Sequence, residues 1–252
     1  MIDFDAVSPW IWVVAPLAVI VGYTVFGLSG FGSTAITVPI LAHFLPVSYL
    51  VPLMALLDLA SALIVGSKGR EHVSKEELRR LVPFMFVGFV LGATVLVGVP
   101  DRWLRVALGI FAAAVGAYSI FNPTLHRTIS KLWSVPAGVA GGAVATIFGA
   151  GGPIYATYLS GRLNDKDEIR STVSTLISLS AFTRAIVYAI SGLLLNASIA
   201  LGLAVLSPFV WMGLAIGRRI HVGLTQQQMR RVVGGILVVT GTSLLVRVAL
   251  QS

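Results

Sequence analysis

The chain of 252 residues contains no cysteine and little charge. Without cysteine it has no disulfide, no thiolate nucleophile and no sulfur ligand for a metal. The histidines are scattered and lack the pairing that binds a metal; they are His43, His72, His126 and His221. No phosphate-binding G-x-x-x-x-G-K-[ST] motif occurs either. We therefore expect no metal, no cofactor and no use of ATP.

Charged residues make up only 11% of the chain, whereas 56% is hydrophobic. A soluble domain carries about 25% charged residues. The composition therefore predicts an all-α integral membrane protein that crosses the lipid bilayer several times. The net charge of +8 would also suit nucleic acid, but cytoplasmic loops of membrane proteins collect lysine and arginine. We expect the bilayer as a partner and no nucleic acid.

Polar breaks divide the apolar sequence into ten predicted elements. Elements 2 and 7 would be about 18 and 14 Å long as helices, too short for a hydrocarbon core of about 30 Å. They are predicted to be half-helices or returning segments. The ten elements are Trp10–Phe26, Thr34–Leu45, Ser48–Gly66, Arg80–Gly98, Trp103–Phe121, Leu132–Phe148, Pro153–Gly161, Thr172–Gly192, Ser198–Gly217 and Arg231–Leu250.

Two glycine-rich stretches, Phe26–Thr34 and Phe148–Pro153, interrupt apolar runs that would otherwise be continuous. Glycine lets the backbone leave the helical region. In lipid, non-helical backbone persists only where protein covers it or where it lines a polar cavity. A pair of glycine-interrupted segments at matching places in two halves indicates a transporter's substrate site.

An internal repeat relates the two halves of the chain. The segment Pro83–Gly88 matches Pro208–Gly213, and further glycines agree in the same register. We predict a first repeat at residues 1–121, a connector at 122–131 and a second repeat at 132–252. Small residues let membrane helices approach closely. Four of the repeated glycines are therefore predicted to be helix contacts: Gly88, Gly92, Gly213 and Gly217.

The distribution of positive charge predicts that the two repeats are inverted. The loop after element 3 is rich in lysine and arginine, and its counterpart in the second half has none. The loop after element 2 shows the opposite bias. With both termini on the outer face, the cytoplasmic side receives all but four of the 18 lysines and arginines. The exceptions are Arg102, Arg105 and Arg247 outside and Arg184 within the membrane. This arrangement predicts a multi-pass protein of the inner membrane.

Arg184 in element 8 and Asp58 in element 3 are charges near the middle of predicted spans. Each costs about 2.5–3.5 kcal/mol at a helix centre, so such residues are functional candidates. Arg184 would attract an anionic substrate because its guanidinium offers paired donors to an oxyanion. Asp58 would carry a proton or coupling charge, or would be the partner that Arg184 exchanges for the substrate. The alternative is that the two residues pair with each other, or with backbone, and hold the halves together.

Other candidates surround these charges. Helices that start at Ser33-Thr34 and at Pro153 would direct free backbone N–H groups at an anion, although both motifs would also suit tightly packed kinks. Ser178 and Ser180 offer hydroxyls, and Tyr155 and Tyr158 would wall the site, pack or anchor at the interface. The predicted substrate-binding residues are Gly30, Gly32, Ser33, Thr34, Gly149, Gly151, Gly152, Tyr155, Ser178, Ser180 and Arg184, and the predicted coupling residue is Asp58.

The paired motifs Gly30-Phe31-Gly32-Ser33, with Pro39 downstream, and Gly149-Ala150-Gly151-Gly152-Pro153 resemble the TauE/SafE sulfite exporter family. The two Pro-Phe-x-x-x-Gly-x-x-x-Gly segments and the length fit it as well. The resemblance covers essentially the whole chain. It implies a membrane transporter of small sulfur-containing anions such as sulfite or sulfonates. The family contains exporters and importers, so it does not imply a direction.

These features predict a secondary transporter that works by alternating access and is coupled to protons or membrane potential, and we expect it to export its substrate. A passive anion channel and an importer of another small organic anion are the alternatives. An enzyme is not expected, because the predicted spans hold no cysteine, no histidine cluster and no pair of acids. The oligomeric state is not predicted.

Overall fold

The computed structural model describes residues 9–29, 32–65, 72–121, 129–194, 197–219 and 226–250. Within these ranges the chain forms ten α-helices and no β-strand. A short 3-10 turn at Lys131–Trp133 precedes the sixth helix. The helices are α1 (Ile11–Ser29), α2 (Ser33–Leu41), α3 (Val47–Val65), α4 (Lys75–Gly98), α5 (Asp101–Phe121), α6 (Ser134–Phe148), α7 (Gly152–Ser160), α8 (Lys166–Ile190), α9 (Ala197–Arg219) and α10 (Gln226–Leu250).

Seven of the described helices are long and apolar enough to cross a membrane: α1, α4, α5, α6 with the turn before it, α8, α9 and α10. Large apolar side chains on several of them are exposed, including Trp103, Trp211 and Val239. Exposed large apolar side chains on spans of this length suit contact with lipid rather than water. The prediction of an all-α integral membrane protein is confirmed.

Helices α2 and α7 have nine residues each. A helix of that length spans about 13 Å, less than half of a hydrocarbon core. The prediction of two short elements is confirmed, although α2 ends at Leu41 rather than Leu45. Neither helix crosses a bilayer by itself.

Several long helices begin earlier than predicted. Helix α4 begins at Lys75 rather than Arg80, and α8 begins at Lys166 rather than Thr172. Apolar periodicity marks only the part of a helix that faces lipid or core, so it misses a polar first turn. These first turns are stabilised by other means: the Asp165 carboxylate accepts a hydrogen bond from the Asp167 N–H at 3.2 Å.

The described helices group into two compact units that cut across the sequence halves. Unit 1 comprises Met1–Leu50, Val99–Thr124 and Asn196–Ser252 and holds α1, α2, α5, α9 and α10. Unit 2 comprises Val51–Gly98 and Leu125–Leu195 and holds most of α3 together with α4, α6, α7 and α8. Each unit therefore contains helices from both predicted repeats. That residues 1–121 and 132–252 are repeats stays a prediction, and most of the predicted connector lies outside the described residues.

Glycines bring one helix pair together in each unit. In unit 2, α4 packs along α6, and a Cβ added at Gly88 would lie 2.2 Å from the Val139 carbonyl oxygen. In unit 1, α9 packs along α1, and a Cβ added at Gly217 would lie 2.5 Å from the Thr24 carbonyl oxygen. Gly92 and Gly213 are equally close to the facing helix. The four glycines are helix contacts, as predicted.

Several helix bounds in the first half of the chain recur in the second half, at one of two spacings. The ends of α1 and α6, the starts of α2 and α7, and the starts of α3 and α8 are each 119 residues apart: Ser29 and Phe148, Ser33 and Gly152, Val47 and Lys166. Helices α5 and α10 begin 125 residues apart, at Asp101 and Gln226, which is the spacing of the repeated sequence motifs. These spacings support a repeat of five elements. Its inversion in the membrane stays a prediction.

Candidate functional site: the break between α6 and α7

The second glycine motif ends one helix and begins another. Helix α6 ends at Phe148, and Gly149 follows with a φ of 72°, a left-handed conformation that costs glycine little. Helix α7 begins at Gly152, with Gly151 at its N-cap and Pro153 in its first turn. Ala150, Gly151 and Gly152 are buried. The predicted break is thus present, and protein covers its irregular backbone.

The ring of Tyr155 packs against this break. Tyr155 is fully buried, so it is not an interfacial anchor. A Cβ added at Gly141 would lie 2.2 Å from its Cε1, and one added at Gly151 would lie 2.6 Å from the Gly141 carbonyl oxygen. The backbone of the break is therefore tightly packed, which was one of the two interpretations left open by the sequence. A role in binding depends on the polar side chains beside it.

Arg184 is the buried cation at this break, with 2% of its surface exposed. One terminal guanidinium nitrogen donates a hydrogen bond to the Ala145 carbonyl oxygen at 3.0 Å. The other lies 3.6 Å from Oδ2 of Asp58, which is also buried. A cation at the C-terminal end of α6 is favoured by the helix dipole. Arg184 thus has both of the partners, the carboxylate and the backbone, that the sequence analysis considered.

Two donors at the break have no partner. Among the described residues, Arg184 Nε and the Tyr155 hydroxyl are buried without a hydrogen bond. A buried unsatisfied donor costs about 1–3 kcal/mol. The nearby Tyr188 hydroxyl, in contrast, donates to the Thr146 carbonyl oxygen at 2.6 Å. The break therefore holds one cation and two unused donors that an anion would satisfy.

The predicted serines of α8 differ in their surroundings. Ser180 lies one turn before Arg184 and is 3% exposed. Ser178 is partly exposed, and its hydroxyl donates to the Ser174 carbonyl oxygen of the same helix at 2.9 Å. Ser180 is thus the better placed of the two to line the buried site.

The first glycine motif belongs to unit 1, and Gly30 lies outside the described residues. Ser33 and Thr34 are buried in the first turn of α2. Gly32 occupies the N-cap of α2, with a φ of 100°. A left-handed N-cap leaves glycine as the unstrained residue there. That both motifs meet in one site stays a prediction.

The sequence analysis missed Glu77, a carboxylate that is only 2% exposed. Its Oε1 accepts hydrogen bonds from Arg162 Nε and from a terminal nitrogen of Arg80, at 3.0 and 2.9 Å. Its Oε2 accepts from the Tyr158 hydroxyl at 2.7 Å. The contacts join the C-terminal end of α7 to the first turn of α4. We call these contacts of Glu77 the ionic tether. Tyr158, which was predicted to wall the site, belongs to it.

A local signal pointed to Glu77 but to a different partner. Ser74 and Glu77 form the S-x-x-E pattern of a capping box, in which the carboxylate returns to the serine N–H. Here the Ser74 N–H donates to Thr172 Oγ1 at 3.0 Å instead. The carboxylate is thereby available to Arg162 and Tyr158. Only the tertiary structure reveals that exchange.

Among the described residues, no three histidine, aspartate or glutamate side chains gather as a metal site would require. The ion pairs found there join arginine to a carboxylate. The chemistry at the break is therefore that of a buried guanidinium and hydroxyl donors, suited to holding a negative solute.

Comparisons with known proteins identify a family and a relative. A family model described as "Sulfite exporter TauE/SafE" matches residues 14–244. The chain is 25% identical over 193 residues to a probable inner membrane transporter protein, TsaS, of Comamonas testosteroni, a match that covers 76% of this chain and 81% of that protein. No solved structure matches the chain.

Proposed function

The chain belongs to the TauE/SafE sulfite exporter family, and from that premise we propose that it is a secondary transporter of a small sulfur-containing anion such as sulfite or an organosulfonate. The proposal is supported most by one observation: Arg184 is buried beside a broken helix with its Nε unused. A carrier needs a site that holds charge inside the membrane, and intramembrane arginines mark such pathways.

The anion would bind between Arg184 Nε and the Tyr155 hydroxyl. Both groups are donors, and both are buried without a partner among the described residues. Hydrogen bonds from a guanidinium to an oxyanion are roughly twice as strong as neutral ones. Backbone N–H groups at the start of α7 add the positive end of a helix dipole. Sulfite and sulfonates present several oxygens around one sulfur, so one anion can reach more than one of these donors.

Asp58 would act as the exchange partner of the substrate. Its Oδ2 lies 3.6 Å from the Arg184 guanidinium, farther than the 2.7–3.2 Å typical of an N–H···O hydrogen bond. An arriving anion would compete with this carboxylate for the guanidinium. Exchange of the guanidinium between the carboxylate and the substrate would link Asp58 to anion binding, and we propose Asp58 as the coupling residue.

Binding is tested first, by thermal unfolding of the detergent-solubilised protein with sulfite, sulfate, thiosulfate, sulfonates and carboxylates. A ligand that binds only the folded protein stabilises it by about 2.7 kcal/mol at 100 times its Kd. We expect a sulfur-containing anion to raise the unfolding midpoint of the wild type and not that of Arg184→Gln. Equal shifts in both proteins would reject Arg184 as the ligand.

Transport is tested in proteoliposomes by counterflow. A carrier that alternates between two faces takes up labelled anion faster when the vesicles are preloaded with unlabelled anion, whereas a passive channel does not. We expect acceleration with the anion identified by unfolding. Uptake that ignores the preload would replace the carrier with a channel and leave the binding site intact.

A further inference from the structure

A groove of about 250 Å³ lies on unit 1, between the end of α2 and the C-terminal part of α10. It is separate from the α6–α7 break, which belongs to unit 2. Its lining combines three apolar residues with four polar or basic ones: Ile40, Phe44 and Val239, with His43, Thr240, Ser243 and Arg247. Such a lining suits a molecule with an anionic end and an apolar end.

Arg247 supplies the positive charge of the groove. It lies in the last turn of α10, is exposed and has no ion-pair partner among the described residues. Arg105, the other arginine close to His43, is already paired with Asp101 at 2.6 Å. Leu250 and Val246, on either side of Arg247, are 83% and 58% exposed. An arginine without an ion-pair partner among the described residues thus lies between two exposed apolar side chains.

We propose that this groove binds an anionic phospholipid, with the headgroup phosphate on Arg247 and an acyl chain along Ile40, Phe44 and Val239. Arginine near the end of a membrane helix reaches toward the headgroup region, where its guanidinium can donate paired hydrogen bonds to a phosphate. Val239 is 66% exposed, so the apolar side of the groove is continuous with the lipid-facing surface of α10. A free anion would have no use for that side.

The ring of His43 sets the direction of the hydrogen bonds in the groove. Its Nδ1 lies 3.0 and 3.2 Å from the carbonyl oxygens of Pro39 and Ile40, so Nδ1 carries the proton in the neutral ring. Its Nε2 then accepts the hydroxyl proton of Ser243, 3.2 Å away. In that state the Ser243 proton is directed at the ring and is not available to a phosphate.

Protonation of His43 reverses the second bond. Nε2–H then donates to Ser243 Oγ, and the hydroxyl proton becomes free to donate to a phosphate oxygen. One added proton thus provides a positive charge and a further donor. The binding of an anion should therefore favour the protonated ring, and by linkage acid pH should strengthen binding.

The groups around His43 determine the direction in which its pKa shifts. Burial lowers the pKa of His43, hydrogen bonds to the Pro39 and Ile40 carbonyls raise it, and the positive charges of Arg247 on α10 and Arg105 on α5 lower it further. A phosphate on Arg247 would offset one of these charges and raise the pKa in the lipid-bound protein. Affinity for the anionic lipid should thus rise as pH falls below the ordinary histidine value of 6.5.

The test measures lipid binding to the full chain by native mass spectrometry, with phosphatidylglycerol and phosphatidylcholine at about pH 7.5 and about pH 5.5. We expect a preference for phosphatidylglycerol that Arg247→Gln weakens about tenfold, the usual effect of losing a hydrogen bond to a charged group. Ser243→Ala should bind as the wild type does at the higher pH and lack the gain at the lower one.

Arg102→Gln is the matched control, since Arg102 is an exposed arginine of unit 1 in the first turn of α5, outside the groove. An equal loss in this variant, or no loss in Arg247→Gln, would overturn the proposal. Inorganic phosphate forms the second arm. If it displaces phosphatidylglycerol completely at millimolar concentration, the site belongs to a soluble anion and the lipid assignment is wrong. None of these results depends on Arg184, so this proposal can fail while the transport proposal stands.

Discussion

The helix pairs α1–α2 and α6–α7 are interrupted at matching positions, but the side chains beside the two interruptions differ. Both short helices have nine residues and start 119 residues apart. In the first pair the close contact involves a hydroxyl: Thr37 Oγ1 donates to the Ser33 carbonyl oxygen at 2.9 Å, and a Cβ added at Gly22 would lie 2.4 Å from that hydroxyl. In the second pair the contact at the matching glycine, Gly141, is with the ring of Tyr155.

The far ends of the short helices differ in the same way. His43 after α2 and Arg162 after α7 are again 119 residues apart. His43 is hydrogen-bonded to a serine, whereas Arg162 is paired with the buried carboxylate of Glu77. The same spacing of helices is thus completed by neutral hydrogen bonds in unit 1 and by an ionic tether in unit 2.

Helices with matching bounds thus differ in the side chains that they place beside the break. At the spacing of 119 residues, Val65 is the counterpart of Arg184 and Ile36 the counterpart of Tyr155. The buried cation and the unused hydroxyl are found at the second break alone, as far as the described residues extend. The transport proposal therefore assigns charge recognition to α6–α7 and leaves α2 a packing role.

Arg184→Ala should have the largest effect, because it removes the feature that most distinguishes the second break from the first. The variant removes the cation of the second break and leaves the Asp58 carboxylate without its guanidinium. Breaking a buried ion pair costs about 3–5 kcal/mol, so we expect a much lower unfolding midpoint together with loss of anion binding. Thermal unfolding and counterflow measure the two effects.

Arg184→Lys separates the effect on stability from the effect on anion binding, because it keeps the charge and loses the planar set of donors. We expect it to recover most of the stability, and to bind the anion about 10- to 100-fold more weakly than the wild type, the effect of losing hydrogen bonds to a charged group. A lysine variant that binds as well as the wild type would mean that Nε is not a ligand.

Glu77→Ala should have the next largest effect, since it removes the acceptor shared by Arg162, Arg80 and Tyr158. The cost should approach about 3 kcal/mol, at the lower end for a broken buried pair because the Arg162 side chain is 26% exposed and water can reach it. The corresponding change in unit 1, His43→Ala, removes neutral hydrogen bonds only, one shared between the Pro39 and Ile40 carbonyls and one with Ser243, and should cost about 1–2 kcal/mol. Chemical denaturation in detergent compares the two.

Glu76→Gln is the control for the tether, because Glu76 also pairs with Arg80 but is 72% exposed. An exposed pair contributes little, so this variant should be close to the wild type. If His43→Ala lowers the free energy of unfolding as much as Glu77→Ala does, the ion pairs of Glu77 stabilise the end of α7 no more than neutral hydrogen bonds stabilise the end of α2.

The sequence predicted the helical frame well because its signals are local. Apolar length located the spans, and glycine density located both breaks. Gly88 and Gly217 could be assigned to helix contacts because close approach in a membrane requires a small residue whatever the fold. The polar first turns of α4 and α8 were missed because apolar periodicity does not detect a polar turn. The first turn of α4 contains Glu76 and Glu77, and that of α8 is capped by Asp165.

The site was only partly predictable, because its contacts join distant parts of the chain. Arg184 and Asp58 could be identified from their cost in lipid, but the Ala145 carbonyl that also binds Arg184 carries no side-chain signal. Glu77 has a local capping pattern and a distant partner, Arg162, and tertiary contacts decided between them. Which hydroxyl of α8 is buried and which one returns to its own helix likewise depends on the facing helices.

The difference in recovery between two double variants distinguishes the two breaks by the kind of atom that fills each glycine contact. Gly141→Ala should cost about 1–3 kcal/mol, the range for overpacking, because the new methyl group meets the Tyr155 ring. Gly141→Ala/Tyr155→Leu should recover most of that loss, since the three closest atoms all belong to that ring. Differential scanning fluorimetry compares the midpoints.

The matching variant Gly22→Ala should cost a similar amount, but Gly22→Ala/Thr37→Ala should recover less. Removing the Thr37 hydroxyl leaves the Ser33 carbonyl oxygen 2.9 Å from the new methyl group, and backbone cannot be trimmed. Equal recovery in both pairs would show that the two breaks are packed alike. The Tyr155→Leu pair also lacks the unused hydroxyl, so it should regain stability without regaining full anion affinity, which separates the packing role of Tyr155 from its proposed role as a ligand.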